Sequence, residues 1–420
     1  MRVLLFPVGS QGDVRPFLVL GAELQRRGHE VFVGTNPFFE DIVRETGLSL
    51  EPMGTVEDFL KVLEHPDLWH PQKGVSLMHE MVFRLVFEPQ VEIIERLGRA
   101  DDTVVIGGTF AVGAWMAAEK QGLPFVRLQL QPSILFGPHD PPVMPNGKKL
   151  RGPLWWRRLF LWLIENTVIR ATLGRSIKRA RRNMGLPPWK RRAMDCYADA
   201  DLNLCTFPPW FAPVTPDWPD NVRHTGFLAA ASADVEPLDG ALAAFMDQEP
   251  APIVFTPGPA GPKYGREFFA VCADACQRLG QRGVFVTRDT KLDLELPATI
   301  RAVKYAPFSQ LFPRASVVVH HGGIGTMAQG FASGRPQLVV PFAFDQPDNA
   351  VRLRDMGVGD ALPWKGISAA ALAERIDRVQ QSAAIQETCR RVRDQALEPS
   401  TPPVEVACDL IEELRREQVT

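Results

Sequence analysis

Val317-Val-Val-His-His-Gly-Gly-Ile-Gly-Thr-Met327 decides how the second half of this chain folds. Three valines form a run of strand type, two histidines and three glycines form a turn, and a helix is expected to start near Thr326. Strand, glycine turn and helix in that order aim backbone N–H groups and a positive helix end at one point, where a phosphate would sit. One strand later, Pro341-Phe-Ala-Phe-Asp-Gln-Pro-Asp-Asn349 places a second polar pair, Asp345-Gln346, past another apolar run. In open parallel sheets ligands bind beyond the carboxyl ends of the strands, and both clusters fall there.

The same alternation continues outward. Ile253–Phe255, Gly283–Thr287, Ile300–Lys304, Val317–His320 and Gln337–Val340 read as short buried strands, with helices at Gly265–Leu279 and Thr326–Ser333. In the first half, Arg2–Val8, His29–Gly34, Thr103–Gly107 and Phe125–Leu130 read as strands. Helices are expected between them at Phe17–Arg27, Phe38–Glu45 and Ala111–Gln121, closed by Gly28, Gly47 and Gly122. Short apolar runs separated by crossover helices point to α/β domains with parallel sheets. A stretch rich in Ala, Asp and Pro near Leu228–Leu238 reads as the link between two of them. The expected division is 1–228, a linker at 229–245, a second domain at 246–398, and a helix within 399–420 that crosses back to the first. In that helix Val404, Ala407, Cys408, Ile411 and Leu414 share one face. Two doubly wound, Rossmann-like domains facing across a cleft is the expected architecture, with the ligand between them.

At 420 residues the chain suits two domains. A hydrophobic content of 45%, a charged content of 23% and a net charge of −2 are those of a globular protein with no global pull toward nucleic acid. Six scattered cysteines and no export signal fit a reducing cytoplasm. Cys272-Ala-Asp-Ala-Cys276 has i,i+4 spacing without a second pair nearby, so helix packing is preferred to a metal site. Asp199-Ala-Asp201 leads into the apolar Leu202–Cys205 run and reads as a turn rather than a metal-diphosphate motif. No metal is expected.

The segment Lys148–Arg192 carries fourteen Lys or Arg against one acid, Glu165, interleaved with Trp155, Trp156, Phe160, Trp162 and Trp189. It reads as a solvated helix face with aromatics in the core, or as a peripheral contact with the inner face of a membrane, or as a surface for a greasy acceptor.

Gly9-Ser-Gln-Gly-Asp-Val-Arg-Pro16 is expected on the loop after the first strand. Its spacing is not the dinucleotide fingerprint GxGxxG, which disfavours a nicotinamide enzyme. Asp13 can take a proton from a hydroxyl; it can equally cap the following helix. Ser10 and Gln11 belong to the same loop, on the acceptor side. In Ile253-Val-Phe-Thr-Pro-Gly-Pro259, Thr256 and Gly258 are candidates to touch phosphates. His320, as a cation or as a hydrogen-bond donor beside a helix start, would stabilise a departing diphosphate. It could also be a satisfied core histidine.

Together these motifs resemble the GT-B glycosyltransferases of family 1, over essentially the whole chain. The Gly9–Phe17 stretch is similar to the start of sterol glucosyltransferases, glycopeptide-antibiotic glycosyltransferases and the rhamnosyltransferase of rhamnolipid synthesis. The stretches Pro66–Pro71, Trp210–Pro213, Asp217–Pro219 and Thr225–Phe227 most resemble the last of these. The resemblance implies a base at Asp13 and a diphosphate contact at His320. It implies further donor contacts at Gly322, Gly323, Gly325 and Thr326, and a pair holding sugar hydroxyls at Asp345 and Gln346. Tyr305-Ala306 falls where plant members stack a tryptophan on uracil, and Gly258-Pro259 replaces a common Gly-Ser. The implied activity is an inverting, metal-independent transfer of a rhamnose- or glucose-type sugar. The donor would be a dTDP- or UDP-sugar; the acceptor, a hydrophobic lipid, hydroxy-fatty acid, sterol or polyphenol. A nucleotide-sugar epimerase or hydrolase, and an inactive nucleotide-binding partner subunit, are the alternatives.

Overall fold

The computed structural model describes residues 1–70, 73–144, 147–228, 237–287, 292–398 and 401–419. The chain divides into two compact units, Met1–Ala231 with Thr401–Thr420, and Ser232–Ser400.

The first unit is built on a seven-stranded sheet. Its strands are β1 (Arg2–Phe6), β2 (Glu30–Thr35), β3 (Ser49–Pro52), β4 (Thr103–Gly107), β5 (Phe125–Gln129), β6 (Leu202–Cys205) and β7 (Val222–His224). Their order is β3-β2-β1-β4-β5-β6-β7, and every pair is parallel. β1, β4 and β5 are buried throughout, as strands covered by helices on both faces must be. The second unit has β8 (Ile253–Thr256), β9 (Gly283–Val286), β10 (Ile300–Val303), β11 (Val318–His320), β12 (Gln337–Val339) and β13 (Gly359–Ala361). Their order is β10-β9-β8-β11-β12-β13, again all parallel. In each sheet the strand order reverses once, between β1 and β4 and between β8 and β11. Such a switch point leaves a crevice at the carboxyl ends of the strands, because the flanking connections run to opposite faces. The two doubly wound sheets are those expected from the sequence.

The helix after β1 spans Gln11–Arg26 and starts six residues earlier than expected. The reason is local: Ser10 and Asp13 form a reciprocal capping box, so the chain turns helical at once. Gly12, Asp13 and Pro16 therefore lie in the helix and not on the preceding loop. The first eight residues of the expected linker, 229–236, lie outside the described residues. Leu238, Leu242 and Met246 pack with Val254, Val284 and Leu311, so the chain has joined the second unit's core by then.

The helix Pro403–Val419 returns to the first unit. Ala407, Cys408 and Ile411 are buried with Leu20 and Leu24 of the Gln11–Arg26 helix. Arg27 Nη1 donates to Asp409 Oδ1 at 2.5 Å, and His29 Nε2 lies 3.0 Å from Glu412 Oε1. Among the described residues no helix is long and apolar enough to cross a membrane. Cys272 and Cys276 are free thiols buried on the Gly261–Leu279 helix.

Ile411 is fully buried. Ile411→Ala is expected to destabilise the first unit by about 2–5 kcal/mol, seen as a lower urea midpoint. An unchanged midpoint would mean that the helix does not pack as described.

Candidate active site

Asp13 sits in the first turn of the helix that leaves β1, beside the switch point of the first sheet. Ser10 N donates to its Oδ2 at 2.7 Å, and Ser10 Oγ donates to the same oxygen at 2.9 Å. Among the described residues nothing donates to Oδ1. The carboxylate thus caps the helix through one oxygen. Burial holds its pKa above the ordinary carboxylate value, against the opposing pull of the Ser10 hydrogen bonds. Gly9 has φ +139°, and a Cβ there would lie 2.4 Å from Asp13 Oδ2. Glycine at position 9 is required by both the backbone angle and the carboxylate. Gln11 is the first residue of the helix.

At the second switch point, β8 and β11 pair Thr256 with His320 at their carboxyl ends. His320 is fully buried. Gly322 N donates to its Nδ1 at 3.1 Å, which makes Nε2 the protonated nitrogen, and Nε2 lies 2.9 Å from Gln337 Oε1. Burial pushes the pKa of His320 down to about 3, and both its ring nitrogens are engaged within the fold. Gly322 is spent likewise, since its carbonyl accepts from Asn349 Nδ2 at 2.9 Å.

His321, one residue further, occupies the turn itself. Cβ atoms on Gly258 and Gly323 would come within 2.2 and 2.3 Å of its ring, so the imidazole is wedged between the two phosphate-type loops. Its Nδ1 is buried without a hydrogen-bond partner among the described residues. Burial lowers its pKa to about 4, against the opposing pull of the Thr256 backbone. His321 is therefore a neutral hydrogen-bonding group at neutral pH, not a cation. The sequence reading did not single out His321, the first position beyond β11.

The helix Ile324–Ser333 starts at Gly323 with no side-chain cap. Met327 N makes the first bond back, to Gly323 O at 3.0 Å. The N–H groups of Gly323, Ile324, Gly325 and Thr326 have no partner among the described residues. A Cβ on Gly325 would meet nothing within 4 Å. An uncapped helix start with four unpaired donors is an anion cradle.

Asp345 precedes the helix Gln346–Asp355 and accepts from Asn349 Nδ2 at 2.7 Å through Oδ2. Gln346 is buried, and its Oε1 accepts from Phe342 N at 2.8 Å and Ala343 N at 3.2 Å. Only its Nε2 remains to be offered, so the pair supplies a carboxylate acceptor and an amide donor. Tyr305, after β10, is 55% exposed, whereas Ala306 is buried. Thr256 is buried at the end of β8.

Asp199 and Asp201 are used structurally: Trp115 Nε1 donates to Asp199 at 3.0 Å and Phe125 N to Asp201 at 2.7 Å. The basic segment splits in two. Arg181 is buried between Trp115 and Trp189 and bonds both oxygens of Glu119. The helix Leu154–Ile164, by contrast, has no buried residue.

Residues 3–135 match the glycosyltransferase family 28 N-terminal domain, and residues 283–413 match the erythromycin biosynthesis protein CIII-like C-terminal domain. O-mycaminosyltylonolide 6-deoxyallosyltransferase of Streptomyces fradiae is 28% identical over 431 residues, covering 100% of this chain and 99% of that protein. Vancomycin aglycone glucosyltransferase of Amycolatopsis orientalis is 30% identical over 375 residues, covering 86% of each. The crystal structure of the glycotransferase of kitacinnamycin has a TM-score of 0.72 at 20% identity, covering 98% of both chains. A spinosyn rhamnosyltransferase complexed with thymidine diphosphate has a TM-score of 0.67 at 19% identity, covering 97% of this chain and 99% of that one. The chain belongs to the GT-B glycosyltransferases of family 1 and is an enzyme of that class.

Gly258→Ala would drive a methyl group into the His321 ring. If that ring binds the diphosphate, affinity for dTDP or UDP is expected to fall about tenfold or more, with the circular-dichroism spectrum unchanged. Unaltered nucleotide affinity would remove His321 from the site.

Proposed function

We propose that this glycosyltransferase inverts the anomeric carbon of a dTDP- or UDP-sugar, using Asp13 as base and the Gly323–Thr326 helix start as the seat of the leaving diphosphate. The sugar is of rhamnose or glucose type, and the acceptor is a hydrophobic molecule with a free hydroxyl. The observation that carries the reading is the pair of helix starts: one filled by a carboxylate with a spare oxygen, the other left open with four unpaired donors.

The chemistry follows. Asp13 Oδ1 takes the proton of the acceptor hydroxyl while Ser10 holds Oδ2. Its raised pKa makes it a stronger base than an exposed carboxylate. The oxygen attacks the anomeric carbon, and the bond to the diphosphate breaks on the opposite side. Negative charge developing on the diphosphate is met by the helix N–H groups and by His321, which takes the role expected of His320. Asp345 accepts from sugar hydroxyls, Gln346 Nε2 donates to one, and the Tyr305 ring stacks on the base. Thr256 and Gly258 shape the loop against His321.

A peripheral membrane contact belongs to the same reading. Trp155, Leu159, Trp162, Leu163 and Val168 are exposed on consecutive turns. Among the described residues Arg158, Arg170, Arg175, Lys178, Arg179 and Arg182 are in no ion pair. An exposed apolar stripe with unneutralised cations is complementary to an anionic lipid surface. The protein is expected to co-sediment with phosphatidylglycerol vesicles at low salt and to lose this with Trp155→Ala and Trp162→Ala together; failure to co-sediment at low salt refutes the contact.

Asp13→Asn separates base from cap, because Asn keeps an oxygen for Ser10. The folded state holds the Asp13 proton more tightly than the unfolded chain, whose value is near 3.8. Its contribution to stability therefore falls as pH rises from there through the folded value, and at neutral pH the ionised group is a net cost. The variant is expected to melt no lower than the parent at pH 7, while turnover drops about 100- to 10,000-fold. Mass spectrometry of dTDP-rhamnose and UDP-glucose with a phenolic and a hydroxy-fatty acceptor gives the readout. Near-normal turnover by a folded Asp13→Asn protein would sink the assignment.

A further inference from the structure

Asn349 is fully buried on the Gln346–Asp355 helix. Its Nδ2 donates twice: to Gly322 O, in the turn after β11, at 2.9 Å, and to Asp345 Oδ2 at 2.7 Å. A carbonyl and an ionised carboxylate only accept, so the surroundings identify the nitrogen end of the amide. The carbonyl end, Oδ1, is buried without a hydrogen-bond partner among the described residues. An unpaired buried acceptor is unfavourable, so the use of this amide lies in its two hydrogens. Serine would have one proton to give, an ionised aspartate or an apolar side chain none. Gly322 is pinned from other sides as well. It has φ +89°, and a Cβ there would lie 2.6 Å from Val339 Cγ1 and 3.3 Å from Gln346 O. Its N–H donates to His320 Nδ1 at 3.1 Å. The turn is thus held to the sheet by other groups, while Asn349 ties the Asp345 carboxylate to the turn.

We propose that Asn349 is a positioning residue that locks the Asp345 carboxylate to the diphosphate turn, so that sugar and leaving group are presented as one rigid body. This rests on the assignment of Asp345 to the sugar and of the Gly323–Thr326 helix start to the diphosphate. A single displacement needs the anomeric carbon in line between the incoming and the departing oxygen. On that reading Asp345 sets the sugar and the turn sets the departing oxygen, so the angle at the anomeric carbon follows the separation of the two. One nitrogen bonded to both fixes that separation. Loss of alignment slows the chemical step even where binding survives. His320 and the close packing of Gly322 keep the turn in place without Asn349, so the diphosphate keeps its seat while the sugar loses its bearing.

The test sets turnover of dTDP-rhamnose and UDP-glucose, at saturating donor and acceptor, beside calorimetric affinity for free dTDP and UDP. Asn349→Ser and Asn349→Ala are each expected to lower kcat about tenfold or more, while affinity for the free diphosphate stays within about threefold of the parent's. Asp345→Ala removes the group that Asn349 holds. In that background either Asn349 substitution is expected to change kcat by less than about threefold, because residues that act through one contact are not additive. Equal losses in both backgrounds, or a loss of diphosphate affinity that matches the loss of turnover, would make Asn349 a part of the fold alone and overturn the inference. So would unchanged turnover, or the unfolding of both variants by circular dichroism. If Asp345→Ala turns over the donors as the parent does, or the parent binds neither diphosphate, the donor assignment fails and takes this inference with it.

Discussion

The helix start at Gly323 is the constraint on which the second unit's site depends. A parallel strand must hand over to a helix at the carboxyl edge of the sheet, and the first N–H groups of that helix have no partner within it. Here nothing inside the described fold supplies one. The two histidines divide the work of keeping it so. His320 bonds Gly322 and Gln337 and anchors the turn to the sheet. His321 fills the gap between Gly258 and Gly323 and leaves the donors clear.

The first unit shows the opposite treatment of the same element. The helix start after β1 is closed by its own side chains, Ser10 and Asp13. A carboxylate that caps with Oδ2 is fixed in direction, and burial makes it more basic. In the second unit burial keeps both histidines neutral, so on the proposed reading the charge of a diphosphate is met by dipoles and hydrogen bonds. Preorganised dipoles serve a developing charge well because they need not reorganise as it forms.

The central strands were legible because each is a short apolar run, buried on both faces. β3, β7 and β13 were not, and each lies at the edge of its sheet. Their sequences, Ser49–Pro52, Val222–His224 and Gly359–Ala361, carry polar residues where one side faces solvent. The helix start at Gln11 was written as Ser10 and Asp13 in capping register but hidden by Pro16. Within the candidate site, the residue types and loops were readable, while which of the adjacent histidines bonds into the sheet was not. It turns on where β11 ends, a matter of one residue that composition does not encode.

Direct displacement by a hydroxyl that Asp13 deprotonates has one stereochemical consequence. The most direct measurement is the anomeric configuration of the product, from the one-bond carbon–proton coupling in its NMR spectrum, set against that of the donor consumed. The account predicts that an α-linked nucleotide-sugar yields only the β-glycoside, or the reverse for a β-linked donor. A product that keeps the donor's configuration would contradict it, because retention requires a different path from a single displacement by the acceptor oxygen.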